Sequence, residues 1–424
     1  MYPRCRSAAL LAAVVVGVLM AAAAGAQEPA IQAEHLASIR VHGNYATPDN
    51  VVLSLAALTV GQALTPESTA EARQRLDASG RFEGVEIRKR YQSLSDPTAV
   101  ALVIVVRERE GATPDDPQPG PLRRFTGRLM FLPILTFEDG YGFTYGGRVT
   151  VANAIGKGFR LTAPLTWGGI RQAAIEADRP FATGLISRVR FGAYIHQREN
   201  PHYEVDDQRR QAWFEIAAVP VRFVQLGAST SVALIRYGDA DDRLATIGAS
   251  LALDTRQNAS FPRNALFARV AWTALRVEGL DTVNRVEPDV QAYVGLIRSS
   301  ILVLRAQGSL VDRAIPPYEQ ALLGGTSSLR GFRTGYRAAD NVLAGTVELR
   351  IPLNSPMRFA NTGLRVFADT GTTWNRGEHL KDSRADTGVG VGWFAIAPLF
   401  QFGIDVAHGL DAGTRAHVTF GIRF

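Results

Sequence analysis

The stretch Leu323-Gly-Gly-Thr-Ser-Ser-Leu-Arg-Gly-Phe332 is the most informative part of this 424-residue chain. It lies in a long polar segment between two strand-like segments and places Arg330 among glycines and apolar residues. Two carboxylates follow on strand-like segments, Glu348 in GTVELRIPL and Asp369 in RVFADTGTTW. Because a guanidinium pairs with carboxylates in a planar fork, the pattern predicts a loop whose arginine is held by inward-facing carboxylates of a closed barrel.

Apolar and polar residues alternate in short segments from residue 122 to the C-terminus. This pattern is typical of a membrane-spanning barrel with an apolar outside and a polar inside, although soluble sandwich strands alternate too. Many arginines and carboxylates lie on the polar faces, which favours the barrel. Roughly 300 residues, at about 19 per strand and loop, predict a transmembrane β-barrel of about 16 antiparallel strands over residues 121–424.

The N-terminus has the layout of a secretory signal peptide over residues 1–26. Arg4 and Arg6 precede an apolar run, which ends in Ala24-Gly-Ala26, a small-residue cleavage site. Cleavage would remove Cys5, the only cysteine. After Gln27 the sequence contains no apolar stretch long enough for a spanning helix. Since lipid tolerates only helices and closed barrels, the exported chain is expected to be a barrel.

Residues 38–110 predict a small α+β domain of order β-α-α-β-β. Thr47-Pro48 and Thr65-Pro66 each predict a helix N-cap followed by proline at the first helical position. Residues 99–108 are apolar enough for a central strand. The segment 111–120 is rich in proline and acidic residues and is interpreted as a linker.

This domain resembles a POTRA module, the polypeptide-transport-associated domain. The resemblance implies that the module engages unfolded clients or accessory proteins, partly by adding a strand to a sheet edge. The alternative is an ordinary small domain whose glycines mark turns. A single such unit is expected, and the residues that mark it most clearly are Gly43, Asn44, Gly80 and Phe82.

The barrel segments resemble the BamA/TamA-type outer-membrane assembly and translocation family. Leu329-Arg-Gly-Phe332 is similar to the tip of the family's long loop between strands 11 and 12, and Val366–Gly371 is similar to its F-x-D-x-G segment. The alternative is an extracellular loop with an incidental arginine. Under the resemblance, the residues expected to lock the loop are Arg330, Gly331, Phe332, Glu348, Asp369 and Gly371.

The C-terminus and a late glycine-rich strand carry two further expectations. The alternating Phe420, Ile422 and Phe424 resemble the signal by which barrel proteins are recognised for assembly. The segment Gly388-Val-Gly-Val-Gly392 is similar to a late strand of the family, and its small residues permit close backbone approach. The resemblance also implies a seam that opens between the first strand, expected near 124–132, and the last, expected near 415–424.

The sequence contains no pattern typical of an enzyme. Its seven histidines are scattered without paired metal-ligand spacing, so no catalytic residue, metal or cofactor is expected. The formal charge of +6 is modest, and nucleic acid is not an expected partner. The expected partners are outer-membrane lipid, unfolded outer-membrane or secreted protein clients, and a periplasmic or inner-membrane accessory protein.

The resemblance implies a bacterial outer-membrane protein with its POTRA domain in the periplasm, acting in protein insertion or translocation. Two other functions remain open. One is an exporter of a dedicated protein, as in two-partner secretion, although such transporters usually carry two POTRA units. The other is a passive porin, although porins have neither a POTRA domain nor the R-G-F loop.

Overall fold

The structure, a computed structural model, describes residues 34–92, 96, 98–109, 111–118, 120, 123, 126–353, 360–397 and 400–422. The chain divides into two compact units, one up to residue 127 and one from residue 128 onward. The predicted signal peptide, residues 1–26, lies outside the described residues.

The N-terminal unit has the predicted order β-α-α-β-β. Its elements are β1 (His35–His42), α1 (Asp49–Ala56), α2 (Pro66–Ala78), β2 (Phe82–Tyr91) and β3 (Ala99–Glu108). The sheet order is β1-β3-β2, with β1 parallel and β2 antiparallel to β3. The strand predicted to be central is therefore central, and one face of the sheet packs with both helices around a core that includes Leu36, Val52, Leu76, Leu102 and Ile104.

The two predicted helix starts have different outcomes. At α2 the prediction is confirmed, because Thr65 caps the helix in a reciprocal capping box with Ser68. At α1 it is wrong, because Pro48 itself is the N-cap and no side chain caps the helix. The physical reason is the Glu108 carboxylate, which accepts hydrogen bonds from three successive backbone amides, at residues 45–47, and so fixes the chain before α1.

The second unit is a closed barrel of 16 antiparallel strands, which confirms the predicted architecture. Two short strands, β15 and β16, form a hairpin in the loop between the eleventh and twelfth barrel strands. The strands are β4 (Leu129–Glu138), β5 (Gly142–Ala152), β6 (Arg160–Gly168), β7 (Arg171–Pro180), β8 (Ile186–Asn200), β9 (Val205–Val221), β10 (Val224–Tyr237), β11 (Ala240–Asp254), β12 (Ala265–Val277), β13 (Val283–Gly295), β14 (Ile301–Val311), β15 (Ala321–Leu323), β16 (Arg337–Ala339), β17 (Asn341–Leu353), β18 (Asn361–Trp374), β19 (Ala385–Ile396), β20 (Phe400–Gly409) and β21 (Gly413–Ile422).

The barrel has two ends that differ in what they carry. The loop end holds the long segment 312–340 between β14 and β17, and the terminal end holds the start of β4 and the last described residues of β21. The first strand starts later than the expected 124–132. Short 3-10 helices lie in the described connections, at Ile297–Ser299, Pro317–Glu319 and Leu380–Asp382. None of the helices in the described ranges is long and apolar enough to cross a membrane.

Inward and outward faces alternate as predicted along the strands near the long loop. Val347 is 51% exposed on the outside, whereas Glu348 is only 4% exposed on the inside. The expectation of a uniformly polar inside is wrong at the loop end of β10–β14. There apolar side chains face inward because the long loop covers them, and the cluster includes Ile235, Tyr237, Leu275, Val283, Val311, Ile315 and Tyr318.

Candidate functional site: a loop fixed inside the barrel

The long loop makes a tight turn before its tip. Gly324 and Gly325 have φ values of 120° and 75°, a region that glycine adopts without steric cost. The amide of Gly325 donates to the carbonyl of Phe332 over 3.1 Å, which closes the turn. A Cβ at position 324 would lie 2.0 Å from the carbonyl oxygen of Arg333. Glycine is therefore required there both for the backbone conformation and for space.

Arg330 lies at the tip of the loop and is 6% exposed. Its Nε and Nη2 donate to the two carboxylate oxygens of Asp369 on β18, over 2.7 and 2.8 Å. Its Nη1 donates to Glu348 on β17 over 2.7 Å, and its backbone amide donates to Asp369 over 3.0 Å. The structure thus brings together the three charged residues that the sequence singled out.

Three further charged residues complete the cluster around Arg330. Glu348 also accepts from Arg350 over 2.7 Å, and Asp405 on β20 accepts from Arg365 over 2.6 Å while lying 3.7 Å from Arg330. The cluster therefore contains three guanidinium groups and three carboxylates, and its formal charges balance. No sequence motif singles out Arg350, Arg365 or Asp405, although each occupies an inward position of an alternating strand.

An aromatic ring forms one wall of this cluster. The guanidinium carbon of Arg330 lies 3.3 Å from the ring centroid of Phe367, which is 3% exposed. A cation over a ring face is attracted most strongly where water is excluded. A Cβ at Gly390 would lie 2.6 Å from the Phe367 ring, so the glycine leaves the space that the ring occupies.

The glycines of β19 leave space for the loop and the cluster. A Cβ at Gly388 would lie 1.9 Å from the carbonyl oxygen of Arg330, and one at Gly392 would lie 1.8 Å from the Asp405 carboxylate. On β18, a Cβ at Gly371 would lie 2.6 Å from the Leu323 side chain. The close approach that the sequence pattern indicated is therefore an approach of the loop to the barrel wall.

His417 on the last strand connects the loop tip to the first strand pair. Its Nε2 accepts the backbone N–H of Gly331 over 3.0 Å, and its Nδ1 lies 2.6 Å from the Asp139 carboxylate in the turn between β4 and β5. Since one ring nitrogen accepts, the other carries the proton that Asp139 accepts. His417 is 2% exposed. No sequence motif singled it out, because its two partners are distant along the chain.

Phe332 anchors the apolar side of the loop tip. It is fully buried and its ring centroid lies 4.7 Å from that of Tyr336. A Cβ at Gly409 on β20 would lie 2.8 Å from the Phe332 ring, so this glycine leaves the space that the ring occupies. Loop and wall share one small core, formed by Leu323, Leu329, Phe332, Val342 and Ala344.

The energetics of the buried cluster depend on its completeness. Burial alone would lower the pKa of Arg330, but its hydrogen bonds to Asp369 and the charges of Asp369 and Glu348 outweigh burial and raise the pKa above its ordinary value. Arg330 is therefore a permanent cation. Removal of one member of a buried ion pair typically costs about 3–5 kcal/mol, because the partner charge is left uncompensated.

The loop is also held at a second place, its 3-10 turn. Glu319 contacts Arg209 on β9 over 2.7 Å and Arg285 on β13 over 3.0 Å. The hydroxyl of Tyr318 donates to Asp242 on β11 over 2.6 Å. No sequence motif singles out these residues. They attach the same loop to β9, β11 and β13, which lie outside the Arg330 cluster.

The barrel closes through a short seam between β21 and β4. Among the described residues, two pairs join these strands, Phe420 with Phe137 and Gly421 with Thr136. Phe420 is half-buried at this seam and Ile422 follows it at the end of β21. The third residue of the predicted assembly signal, Phe424, lies outside the described residues.

The residues that marked the POTRA-like unit lie at its turns and core. Gly43 has a φ of 85°, and a Cβ there would lie 2.1 Å from the carbonyl oxygen of Val106. The Asn44 amide donates to the carbonyl of Thr47 over 2.9 Å. Gly80, with a φ of 68°, follows α2, and Phe82 is 4% exposed.

In the part of the chain that the structure describes, no three His, Cys, Asp or Glu side chains are grouped so that they could hold a metal ion. The carboxylates of the Arg330 cluster are instead occupied by guanidinium groups. The arrangement can hold a loop in a fixed position inside the barrel and connect it to the seam.

Solved structures of known proteins have a similar fold. The solved structure of BamA from Haemophilus ducreyi lacking POTRA domains 1–3 has a TM-score of 0.61 and 15% identity, over 93% of this chain and 85% of that chain. CdiB from Escherichia coli has a TM-score of 0.53 and 12% identity, over 94% and 91%. At these identities the likeness concerns the fold. No curated protein sequence matched the chain.

Two family descriptions match the sequence. The POTRA description, surface antigen variable number repeat, matches residues 35–109. The Omp85 superfamily domain matches residues 144–424, about two thirds of the chain. A barrel of this type implies the bacterial outer membrane. With its 16-stranded barrel and preceding POTRA domain, the chain belongs to the Omp85 superfamily, as the resemblance to BamA/TamA-type proteins predicted.

Proposed function

We propose that this protein is an assembly, insertion or translocation factor for protein clients in the bacterial outer membrane. Its POTRA domain lies in the periplasm and engages unfolded clients. Its barrel inserts them into the membrane or passes them across it. The lumen loop keeps the C-terminal wall of the barrel in one conformation while clients are inserted or passed across the membrane.

The observation that carries the proposal is the position of the loop relative to the seam. The loop tip contacts β17 through Glu348, β18 through Asp369 and β21 through His417. The last of these strands borders the seam, where two residue pairs join it to β4 within the described residues. A weakly paired seam beside a fixed wall suits a barrel that admits a client strand at one place without losing its shape.

The POTRA sheet supports client engagement through its edges. The sheet order leaves β1 and β2 each with a strand neighbour on one side. An unpaired strand edge is a template for a strand from another chain. The start of β1 is hydrogen-bonded on its outer side to the segment 61–64, so we infer that the edge of β2 is the more accessible of the two for an extended client segment.

Quantitative proteomics of the outer membrane and culture medium tests the proposal, in cells with the gene, without it, and with Arg330→Ala. Loss of several unrelated barrel proteins in the deletion and the variant supports assembly or insertion. Loss of one secreted protein with unchanged barrels marks a dedicated exporter. Unchanged protein content together with lost permeability to small solutes would mark a porin and overturn the proposal.

A further inference from the structure

The outward face of the barrel carries a group of arginines near the loop end. We define the arginine patch as Arg171 on β7, Arg210 on β9, Arg236 on β10, Arg243 on β11 and Arg276 on β12, all of which are exposed. At the same end, β5 and β6 instead present Tyr145 and Trp167, which are about half exposed. Aromatic residues are the usual outward residues at a membrane interface, so a sector of arginines there is distinctive.

The strand register shows how deep these arginines lie. One cross-strand row runs Ala173, Ile195, Arg210, Leu234 and Arg243, each paired with the next. The neighbouring row toward the terminal end runs Ile175, Ala193, Ala212, Val232, Ala245 and Arg276. Arginines thus alternate with apolar residues where the outward face changes from polar to apolar. In membrane barrels such a change marks the level of the lipid headgroups.

A groove lies on this face directly below the arginines. Its volume is about 1000 Å³, and its lining includes Ala173, Ala193, Ala212 and Ala245 together with the Arg210, Arg243 and Arg276 side chains. The small alanines make the groove floor, whereas Ile175, Ile195 and Val232 are more than half exposed beside them. An apolar trough with cations along one rim matches the shape of a lipid: acyl chains in the trough and an anionic headgroup at the rim.

The charges of the patch are incompletely paired. Arg236 contacts Asp241 over 3.0 Å and Arg243 approaches Glu278 over 3.7 Å, and all four side chains are more than 60% exposed. Such surface pairs are weak and are exchanged readily for a better ligand. Arg210 and Arg276 have no ion-pair partner within the described residues. The arginines of the patch can therefore bind anions at the membrane surface.

We propose that the arginine patch and the alanine-floored groove form a binding site for an anionic membrane lipid with a phosphorylated headgroup. Arg210 and Arg276 bind phosphate oxygens, and the acyl chains fill the groove. Arg210 and Arg243 are two strands apart, or about 10 Å, which suits a headgroup with two separated phosphates. Arginine suits this role, because its fork binds phosphate bidentately and its aliphatic stem packs against apolar surface.

The test is native mass spectrometry of the purified full-length barrel in neutral detergent, titrated with a diphosphorylated glycolipid, lipid A. The test variant is the double substitution Arg210→Gln and Arg276→Gln. The matched control is Arg179→Gln with Arg222→Gln. This second pair also lacks an ion-pair partner among the described residues, and both arginines contact phenylalanine rings toward the terminal end. The gel heat-shift of each variant shows that its barrel is folded, since the substituted side chains are exposed.

We expect the wild type and the control to bind the lipid equally, and the test variant to lose about tenfold or more in affinity, which corresponds to about 1.4 kcal/mol. Dephosphorylated lipid A should bind the wild type as weakly as phosphorylated lipid binds the variant. Equal binding by the wild type and the test variant would overturn the proposal, as would an equal loss in the control. Displacement of the lipid by inorganic phosphate at the same concentration would also overturn it, because the site would then recognise the free anion and not a lipid.

Discussion

The carbonyl oxygen of Arg330 lies against Gly388 so closely that a Cβ at that position would be 1.9 Å from it. The loop that carries Arg330 and the strand that carries Gly388 are therefore in direct backbone contact. A side chain of any size at 388 must displace either the loop or the wall.

We expect Gly388→Ala to weaken the attachment of the loop, because both atoms in conflict belong to the backbone or to Cβ and cannot rotate away. Overpacking of this kind costs about 1–3 kcal/mol. The barrel should still reach the membrane but should lose its folded gel mobility at a lower temperature. Gly345→Ala on β17 is the matched control, since its nearest neighbours lie at an ordinary 3.7 Å. An equal effect of both substitutions would contradict this explanation.

Arg330→Ala should have a larger effect, because it leaves the buried Asp369 and Glu348 carboxylates without their shared cation. The expected cost is about 3–5 kcal/mol, measured as a lower heat-shift temperature together with impaired function. Arg330→Lys should restore charge but not the two-pronged contact with Asp369, and it should give an intermediate result.

The control for Arg330→Ala is Arg384→Ala, since Arg384 pairs with Asp411 at the loop end with both side chains more than half exposed. It should leave the heat-shift and the function unchanged. If Arg330→Ala were as harmless as this control, the loop would not depend on its arginine.

The architecture and the centre of the site could be predicted from sequence for physical reasons. Alternation with period two indicates which side chains face lipid. The number of strands followed from the length of the alternating region and the spacing of its segments. Arg330 was predictable because it lies among small and apolar residues of its loop, and Glu348 and Asp369 because they lie on the polar faces of the strand-like segments that follow. The long loop between the eleventh and twelfth strands was predicted at its position in the structure.

The other contacts between the loop and the barrel wall could not be predicted, because the residues that form them meet only after the barrel closes. His417 and Asp139 are 278 positions apart and lie on opposite sides of the seam. The apolar lumen cluster around Tyr318 depends on where the loop folds, which alternation alone does not encode. The start of α1 was predicted wrongly because Glu108, more than 60 residues away, accepts from the amides of residues 45–47 and so fixes the chain before the helix, a contact that the local sequence does not encode.

The contact between His417 and Asp139 should give the barrel a pH-dependent component of stability. The hydrogen bond from His417 holds the pKa of Asp139 below its ordinary value. A carboxyl group whose pKa is lower in the folded state stabilises the fold above its unfolded pKa, and this stability is lost as the pH falls through the folded value. Asp139→Asn should therefore lower the heat-shift temperature at neutral pH, and the difference from wild type should begin to shrink only below the ordinary aspartate pKa of about 4 and disappear as the pH falls through the lower folded value.

Asp411→Asn is the matched control for this pH experiment, because Asp411 also pairs with a basic residue at the loop end but is about half exposed. It should leave the heat-shift temperature unchanged at every pH. A difference between Asp139→Asn and wild type that persisted undiminished in acid would show that the amide disturbs packing and that the charge is irrelevant.

The seam provides the most direct prediction about mechanism. Thr136 and Gly421 are paired across it, and a Cβ at Gly421 would lie 3.8 Å from Cγ2 of Thr136, so two cysteine side chains at these positions would be in contact. The double variant Thr136→Cys with Gly421→Cys should form a disulfide on oxidation, since the only native cysteine is Cys5 in the predicted signal peptide. If clients enter through the seam, oxidation should deplete client proteins from the outer membrane and a reductant should restore them.

A disulfide within the wall separates this effect from oxidation in general. Val406 and Ala416 are paired between β20 and β21, so Val406→Cys with Ala416→Cys should crosslink without closing the seam and should leave client levels unchanged. Full client levels with a quantitatively oxidised seam would show that this barrel works without opening there. The proposed route would then have to run through the lumen, past the loop that Arg330 holds.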